Sequence, residues 1–442
     1  MINALNFSNM GYDLTGPQVH ADGEIWSKVN FAIRKALSSK YDGKFPPDDE
    51  DLQLACAEGQ LPPQNCPGNR RWMQLVFDSY LLMPTNPSML QARDAQLAAD
   101  LMRFGGANQK ELWLAFARHG FGRNATSTNT TANTDTDPTP DFEAIGTAPA
   151  TVTFAARRLN QNVPVNARIF VGHYEARSSP IADTDPATTG PNVDNVARFV
   201  PGTYEFVATA PGYGHVRFRE QIREGENVTV TLRFADNWAS ANAGAVATGD
   251  TSGADAAAQA AQLRNLIDDT ENTTWTTAGN IDAAGNLSAD GKKVTVDLAG
   301  TATQRISHLQ VSVLLSNNVN RFTAVRKFEI WACDANDGDD CSTDAGFSLV
   351  YTSADDAFPG NPPRPVAPHM ILRSFDIPNT RATHLRLVVK TTQCTGGPAF
   401  QGDQDADPAV NADCDSNVVA GASRSFVRAA ELQAFSSSSR AD

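Results

Sequence analysis

Residues 124–140 read NATSTNTTANTDTDPTP. Hardly an apolar side chain interrupts this run, so it can bury little, and a flexible or extended linker over 124–146 is expected. What decides the fold is the change across it. Before the run, apolar residues recur with a period of 3.6; after it, the period becomes 2. The expected fold class is therefore multidomain α + all-β, with a helical lobe over 1–123, a small β-sandwich over 147–235, a larger one over 236–437 and a disordered tail over 438–442. A length of 442 residues suits that division into roughly three domains of 100–200 residues.

On the helical side, Trp26, Val29, Ile33 and Leu37 share one face of a helix over Gly23 to Leu37. A second helix is expected from about Asn69 to Met83. Asn86-Pro87 reads as an N-cap with proline at the first helical position, opening a third that runs to Phe104 and stops at Gly105-Gly106. Asn108 and Glu111 have the spacing of a capping box for a fourth. On the other side, five short runs between Thr151 and Phe234 alternate as strands, separated by turns such as PGTYEF and APGYG. Seven more, from Lys293 to Phe435, are joined by long Asp-, Gly- and Pro-rich loops, a spacing that suits a jelly roll.

Lys and Arg total 36 against 50 Asp and Glu, a formal charge of -14, which repels polyanions and argues against a nucleic-acid partner. No apolar run approaches the length of a transmembrane span, and Met1 to Met10 lacks the pattern of a signal peptide. The six cysteines fall as close pairs, Cys56 with Cys66, Cys333 with Cys341 and Cys394 with Cys414. Polar loops of this kind suit three local disulfides and an oxidising, extracellular compartment better than six reduced thiols. A secreted protein without a visible export signal implies that its true N-terminus lies elsewhere.

One segment before the first helix, VHADGEIW (19–26), places His20 beside Asp22 and Glu24. A loop histidine there can donate to a developing oxyanion, and a carboxylate can hold its tautomer; a lone histidine is as readily a solvated or capping residue. The blocks VHADGEIW, GNRRWMQLVFDSYLLMPTNPSMLQARDAQLAAD and GGANQKELWLAFARHGFG, in order over about Asn3 to Gly122, resemble the C-terminal end of the fungalysin family of secreted zinc metalloendopeptidases, which are thermolysin-like zincins. By that resemblance His20 matches the histidine that stabilises the tetrahedral intermediate. The aspartate expected five residues earlier is Thr15, so orientation would fall to Asp13 or Asp22. The seven histidines include no HExxH. The zinc ligands and general base would therefore lie in a part of the parent enzyme missing from this chain, which alone should be inactive.

The PGTYEF and APGY turns with the closing ENVTVTL resemble carboxypeptidase-regulatory-like, Ig-like sandwiches, expected here as a passive spacer. LIDDTENTTW (266–275) and VRAAELQAF (427–435) resemble the entry and closing strand of discoidin-type, galactose-binding-like modules. A tight acidic turn with backbone carbonyls makes an oxygen cage for a hard cation. The resemblance implies a structural calcium held by Asp268, Thr273 and Glu431, with Asp269 in place of the family's glycine; an Asx-type turn without an ion is the alternative. Two further acidic loops, 334–341 and 402–408, read chiefly as solvated loops. Trp275 is expected in the core, and Phe358, Phe400 and the FPGNPPRP loop as contacts to a ligand.

Together these imply the C-terminal region of an extracellular zinc endopeptidase, with β modules that target a glycan or cell surface. Its partners would be an extracellular protein substrate or the missing peptidase half, and its apolar face near His20 and Trp26 should be open to receive that half. The alternative is a non-catalytic secreted adhesion or carbohydrate-binding protein with a vestigial protease lobe.

Overall fold

The structure is a computed structural model and describes residues 5–11, 19–127, 138–173, 175, 179–188, 194–281, 287–315, 321–355, 357–358, 370–394 and 426–441. Five helices build the first lobe: α1 (Val19–Tyr41), α2 (Glu50–Ala57), α3 (Gly68–Tyr80), α4 (Met89–Phe104) and α5 (Gln109–Arg118). Ile25, Val29, Ile33 and Leu37 of α1 are fully buried, one turn apart, and pack in one core with Leu75, Leu112 and Phe116. The third helix expected from sequence opens later than Asn86. Ser88 caps α4 through a reciprocal box with Gln91, while Asn86 sits in the left-handed region at φ 54°. Asn108 makes no side-chain cap; its amide nitrogens instead donate to Asp100, which closes the turn between α4 and α5. Cys56–Cys66 ties α2 to the segment before α3.

The Thr-rich run does not span a distance between modules. Thr126 and Thr139 exchange both backbone hydrogen bonds, and Gly122 donates to the Asp141 carbonyl at 2.7 Å, so the chain returns to where it left. Residues 128–137 lie outside the described residues. Directly beside this point Ala117, Ala144 and Val200 pack together, and Arg118 Nε donates to the Pro201 carbonyl.

The small sandwich has β1 (Ala150–Arg158), β2 (Arg168–Val171), β3 (Ala182–Asp183), β4 (Val196–Phe199), β5 (Gly202–Thr209), β6 (Val216–Ile222) and β7 (Asn227–Phe234). Strict alternation in β1 turns Val152, Phe154 and Ala156 inward onto Phe199, Phe206 and Leu232. One sheet is ordered β3-β2-β5-β6; in the other, β7 pairs in parallel with β1, and β4 antiparallel with it.

The jelly roll comprises β8 (Val246–Gly249), α6 (Ala256–Arg264), β9 (Trp275–Ala278), β10 (Asn280–Ile281), β11 (Leu287–Ser288), β12 (Lys293–Asp297), β13 (Gln304–Ser312), β14 (Val325–Cys333), β15 (Ser348–Thr352), β16 (Arg373–Ala382), β17 (His384–Thr392), β18 (Phe426–Ala429) and β19 (Glu431–Phe435). A five-stranded sheet, β15-β14-β17-β12-β8, faces a three-stranded one, β16-β13-β19, with β18-β9 as a short ribbon. Trp275 is fully buried, as its sequence context implied. Cys333–Cys341 closes the acidic loop 334–341; Cys394 is disulfide-bonded, and Cys414 lies outside the described residues. The tail expected to be disordered instead forms β20 (Arg440–Ala441), paired with β7 of the small sandwich: after leaving the jelly roll, the chain stitches the two β modules together.

Candidate functional site

His20 lies in the first turn of α1 rather than in the loop expected, because the helix already begins at Val19; its side chain is outside the described residues, as are Asp13 and Thr15. Asp22 is buried, and its Oδ1 accepts the Gly11 amide at 2.7 Å. It thereby fastens the preceding segment to the helix N-terminus, where a carboxylate is favoured. Of the face expected to be open, the His20 side lies outside the described residues, and at Trp26 it is partly covered by the lobe itself. The indole is half-buried, with ring centroids 6.2 Å from Phe116 and 6.1 Å from Phe121. Exposed apolar side chains of the lobe sit elsewhere, at Phe31 on α1, Phe77 and Tyr80 on α3, Leu81 just beyond it, and Leu101 and Met102 on α4.

The acidic turn and β19 come together. The Leu432 amide donates to the Leu266 carbonyl at 2.7 Å, which sets Glu431 beside residues 268–273. Thr273 Oγ1 lies 3.0 and 2.9 Å from the two oxygens of Asp268. Burial pushes the Asp268 carboxyl up to about 6. Glu431 is fully buried and neither of its oxygens makes a well-formed hydrogen bond. Burial, with the nearby Asp269 and Asp268 charges, raises its pKa well above the ordinary value, and the adjacent Gln433 amide and Asp269 backbone oppose this only in part. A buried carboxylate left this way is costly unless a cation compensates it. Among the described residues no group of three or more His, Cys, Asp or Glu side chains is placed to hold a metal. The side chains of Asp268, Thr273 and Glu431 offer only oxygens, two carboxylates and a hydroxyl, a donor set whose chemistry suits a hard cation rather than a zinc centre.

Asp269, expected to distort the turn or add a ligand, does neither. It accepts the left-handed backbone (φ 66°) of the glycine it replaces. Its carboxylate is taken up by protein donors: Gly212 N at 2.7 Å, Ser240 Oγ at 2.5 Å and Asn242 Nδ2 at 2.9 Å on one oxygen, and Asn237 Nδ2 at 2.8 Å on the other.

Sequence reasoning missed the residues that brace this turn from the small sandwich, because nothing local marks them. His215 is buried and Arg217 half-buried in the seam between the modules. Arg217 Nε donates to the His173 carbonyl and Nη1 to that of Leu372, while Nη2 is 3.6 Å from Glu271. Close approach is enforced at Gly214, where a Cβ would stand 3.0 Å from the Phe435 ring. Glu175 is buried against residues 270–272, and desolvation, reinforced by Glu271 and Asp268, pushes its carboxyl up to about 7.

That shift has a sign. A carboxyl held protonated in the folded state stabilises the fold below its unfolded pKa near 4.5, and the advantage is lost as pH rises through about 7. A displacement of this size corresponds to about 3 kcal/mol. With divalent cations chelated, the melting temperature of the wild type is expected to fall relative to Glu175→Gln between pH 5 and 8, read from parallel thermal melts. His119 acts oppositely: burial lowers its pKa to about 4, so its contribution is lost as pH falls below 6.5.

Other candidates separate from this centre. In the loop 334–341, Arg381 lies 3.6 Å from Asp334 and 3.2 Å from Asp337, so a protein cation already pairs with two of its carboxylates. Phe358, expected as a ligand contact, is fully buried, its ring 6.3 Å from that of Phe328 and 5.9 Å from that of Phe375. Phe400, residues 359–365 of the FPGNPPRP loop and the acidic loop 402–408 lie outside the described residues.

Residues 1–125 match the family model of fungalysin metallopeptidases (M36). The extracellular metalloproteinase mep of Aspergillus niger is 35% identical over 123 residues, covering 28% of this chain and 18% of that protein. The extracellular metalloproteinase MEP of Fusarium vanettenii is 39% identical over 112 residues, covering 25% and 16%. This chain thus spans less than a fifth of the length of these relatives. Solved structures similar to it include a CBM32 module of Clostridium perfringens in complex with GalNAc-beta-1,3-galactose (17% identity, 43% of this chain and 94% of that one, TM-score 0.24). Another is the family 32 carbohydrate-binding module of Streptococcus pneumoniae EndoD (12% identity, 46% and 100%, TM-score 0.24). No helix among the described residues is long and apolar enough to cross a membrane.

Proposed function

We propose that this chain is the C-terminal region of an extracellular zinc endopeptidase, carrying one wall of the active-site cleft and two β modules that direct the enzyme to a glycan-bearing surface. The observation that carries this reading is the match of residues 1–125 to fungalysin metallopeptidases at 35–39% identity with named extracellular relatives. The exposed apolar side chains on α1, α3 and α4 support it, since a lobe that packs against a further part of a peptidase needs such a surface. His20 would hydrogen-bond the oxyanion of the tetrahedral intermediate, and Asp22 would hold the helix start that presents it. Zinc, bound by the other half, would supply the activated water; none of the residues described here holds it.

In the jelly roll, Asp268, Thr273 and Glu431 would hold a structural calcium. The orphaned Glu431 carboxylate is the feature that supports the ion.

The chain alone is expected to leave casein uncleaved with or without added zinc. Intact mass and N-terminal sequencing of the native protein test the larger claim. Upstream peptides containing HExxH, on the same chain or a tightly associated one, support the peptidase. A mature N-terminus within this sequence and no copurifying zinc fragment would overturn it in favour of a binding protein.

A further inference from the structure

We propose that the cation turn is a joint shared by two modules: Glu175 of the small sandwich positions the turn, so that calcium binding in the jelly roll and docking of the sandwich onto it are one coupled event. The inference rests on the calcium reading above and adds to it a positioning residue from outside the jelly roll.

The ends of the turn, Asp268 and Thr273, are the candidate ligands, and the residues between them are gripped from the other module. Glu175 Oε1 accepts from Thr270 Oγ1 at 2.6 Å and from Asn272 Nδ2 at 2.8 Å, and its Oε2 accepts the Glu271 amide at 3.1 Å. Three donors from three consecutive residues of one turn thus converge on a single carboxylate of a different domain. The sandwich also donates Gly212 N to Asp269, and His215 Nε2 lies 3.3 Å from the Asp269 carbonyl. A cleft of about 780 Å³ between the modules is lined by Glu175, Asp268, Asp269 and Tyr213, so the Asp268 end of the turn borders open space.

The energetics follow from preorganisation. A free acidic turn must lose backbone freedom to close around an ion, and that cost is subtracted from affinity. Here Glu175 already fixes the middle of the turn through three hydrogen bonds. Partners outside the ligand set typically change metal affinity by 10–100-fold. Linkage is reciprocal: if docking strengthens calcium binding, calcium strengthens docking by the same factor. The small sandwich, expected as a passive spacer, then fixes the angle between the peptidase lobe and the jelly roll whenever calcium is present.

The test uses the full chain, stripped of metal and titrated with calcium chloride by calorimetry at fixed pH, with small-angle X-ray scattering on the same samples. Wild type is expected to bind one ion and to become more compact. Glu175→Ala should bind 10–100-fold more weakly and stay expanded at calcium levels that compact the wild type. Thr270→Val, which removes one donor from the jelly-roll side, should weaken binding several-fold and serves if Glu175→Ala fails to fold. Glu226→Gln, on an exposed turn of the sandwich, should behave as wild type. Unchanged affinity in Glu175→Ala and Thr270→Val, or calcium binding with no compaction, overturns the coupling while leaving the calcium site standing. No binding by the wild type overturns both.

Discussion

Replacing Asp269 by alanine is expected to cost about 3–5 kcal/mol, through loss of a buried charge that several donors share. The carboxylate is 7% exposed and receives Gly212, Asn237, Ser240 and Asn242. Alanine would leave Asn237 and Ser240, themselves fully buried, without this acceptor, and each stranded buried donor costs about 1–3 kcal/mol. It would also keep the left-handed backbone at φ 66° without the side chain that justifies it. Asp269→Gly should recover about 1 kcal/mol of that loss by relieving the backbone alone. Urea denaturation of the three proteins checks this. A loss below 1 kcal/mol for the alanine variant, or no difference between alanine and glycine, would show that the polar hub does not hold the modules.

The opposite outcome is expected at Glu431. Glutamine there keeps the shape and cannot ionise, so the metal-free protein near pH 7 should gain about 2–3 kcal/mol, the order of the cost of holding a buried carboxyl protonated above its ordinary pKa. The same substitution should abolish stabilisation by calcium. In the wild type, calcium at a thousand times its dissociation constant should add about 4 kcal/mol, read as a rise in melting temperature. The crossing of the two curves is the diagnostic: the variant more stable in chelator, the wild type more stable in calcium. A variant that still gains stability from calcium as the wild type does would remove Glu431 from the ligand set.

Much of the architecture was legible because it rests on local pattern. The 3.6-residue spacing of Val29, Ile33 and Leu37, the alternation in Ala150–Arg158 and the close cysteine pairs each encode their outcome within a few residues. Helix α2 escaped because it has no buried residue, hence no apolar stripe to read; only Asp49, accepting the Leu52 amide, marks its start. His20 was misplaced by one turn, since the polar residues before Gly23, His20 and Asp22 among them, read as a loop when they lie on the helix. The acidic turn could be found through its resemblance to a known module, but its partners could not. Glu175 lies some 95 residues from Thr270, and neither its neighbours nor its spacing announce a buried carboxylate. Polar seams between domains are written in pairs of distant residues, and a single sequence does not display the pairing.

The mutual hydrogen bonds of Thr126 and Thr139 set the terms on which the Thr-rich run can vary. A linker that separates two bodies transmits its length to their spacing. A run whose two ends are clasped transmits nothing. Insertion, deletion, an attached sugar or even a cut between those threonines would leave the lobe and the sandwich at the same separation. The sequence between the two threonines is therefore free to vary in length, while the geometry on either side is held by contacts outside it.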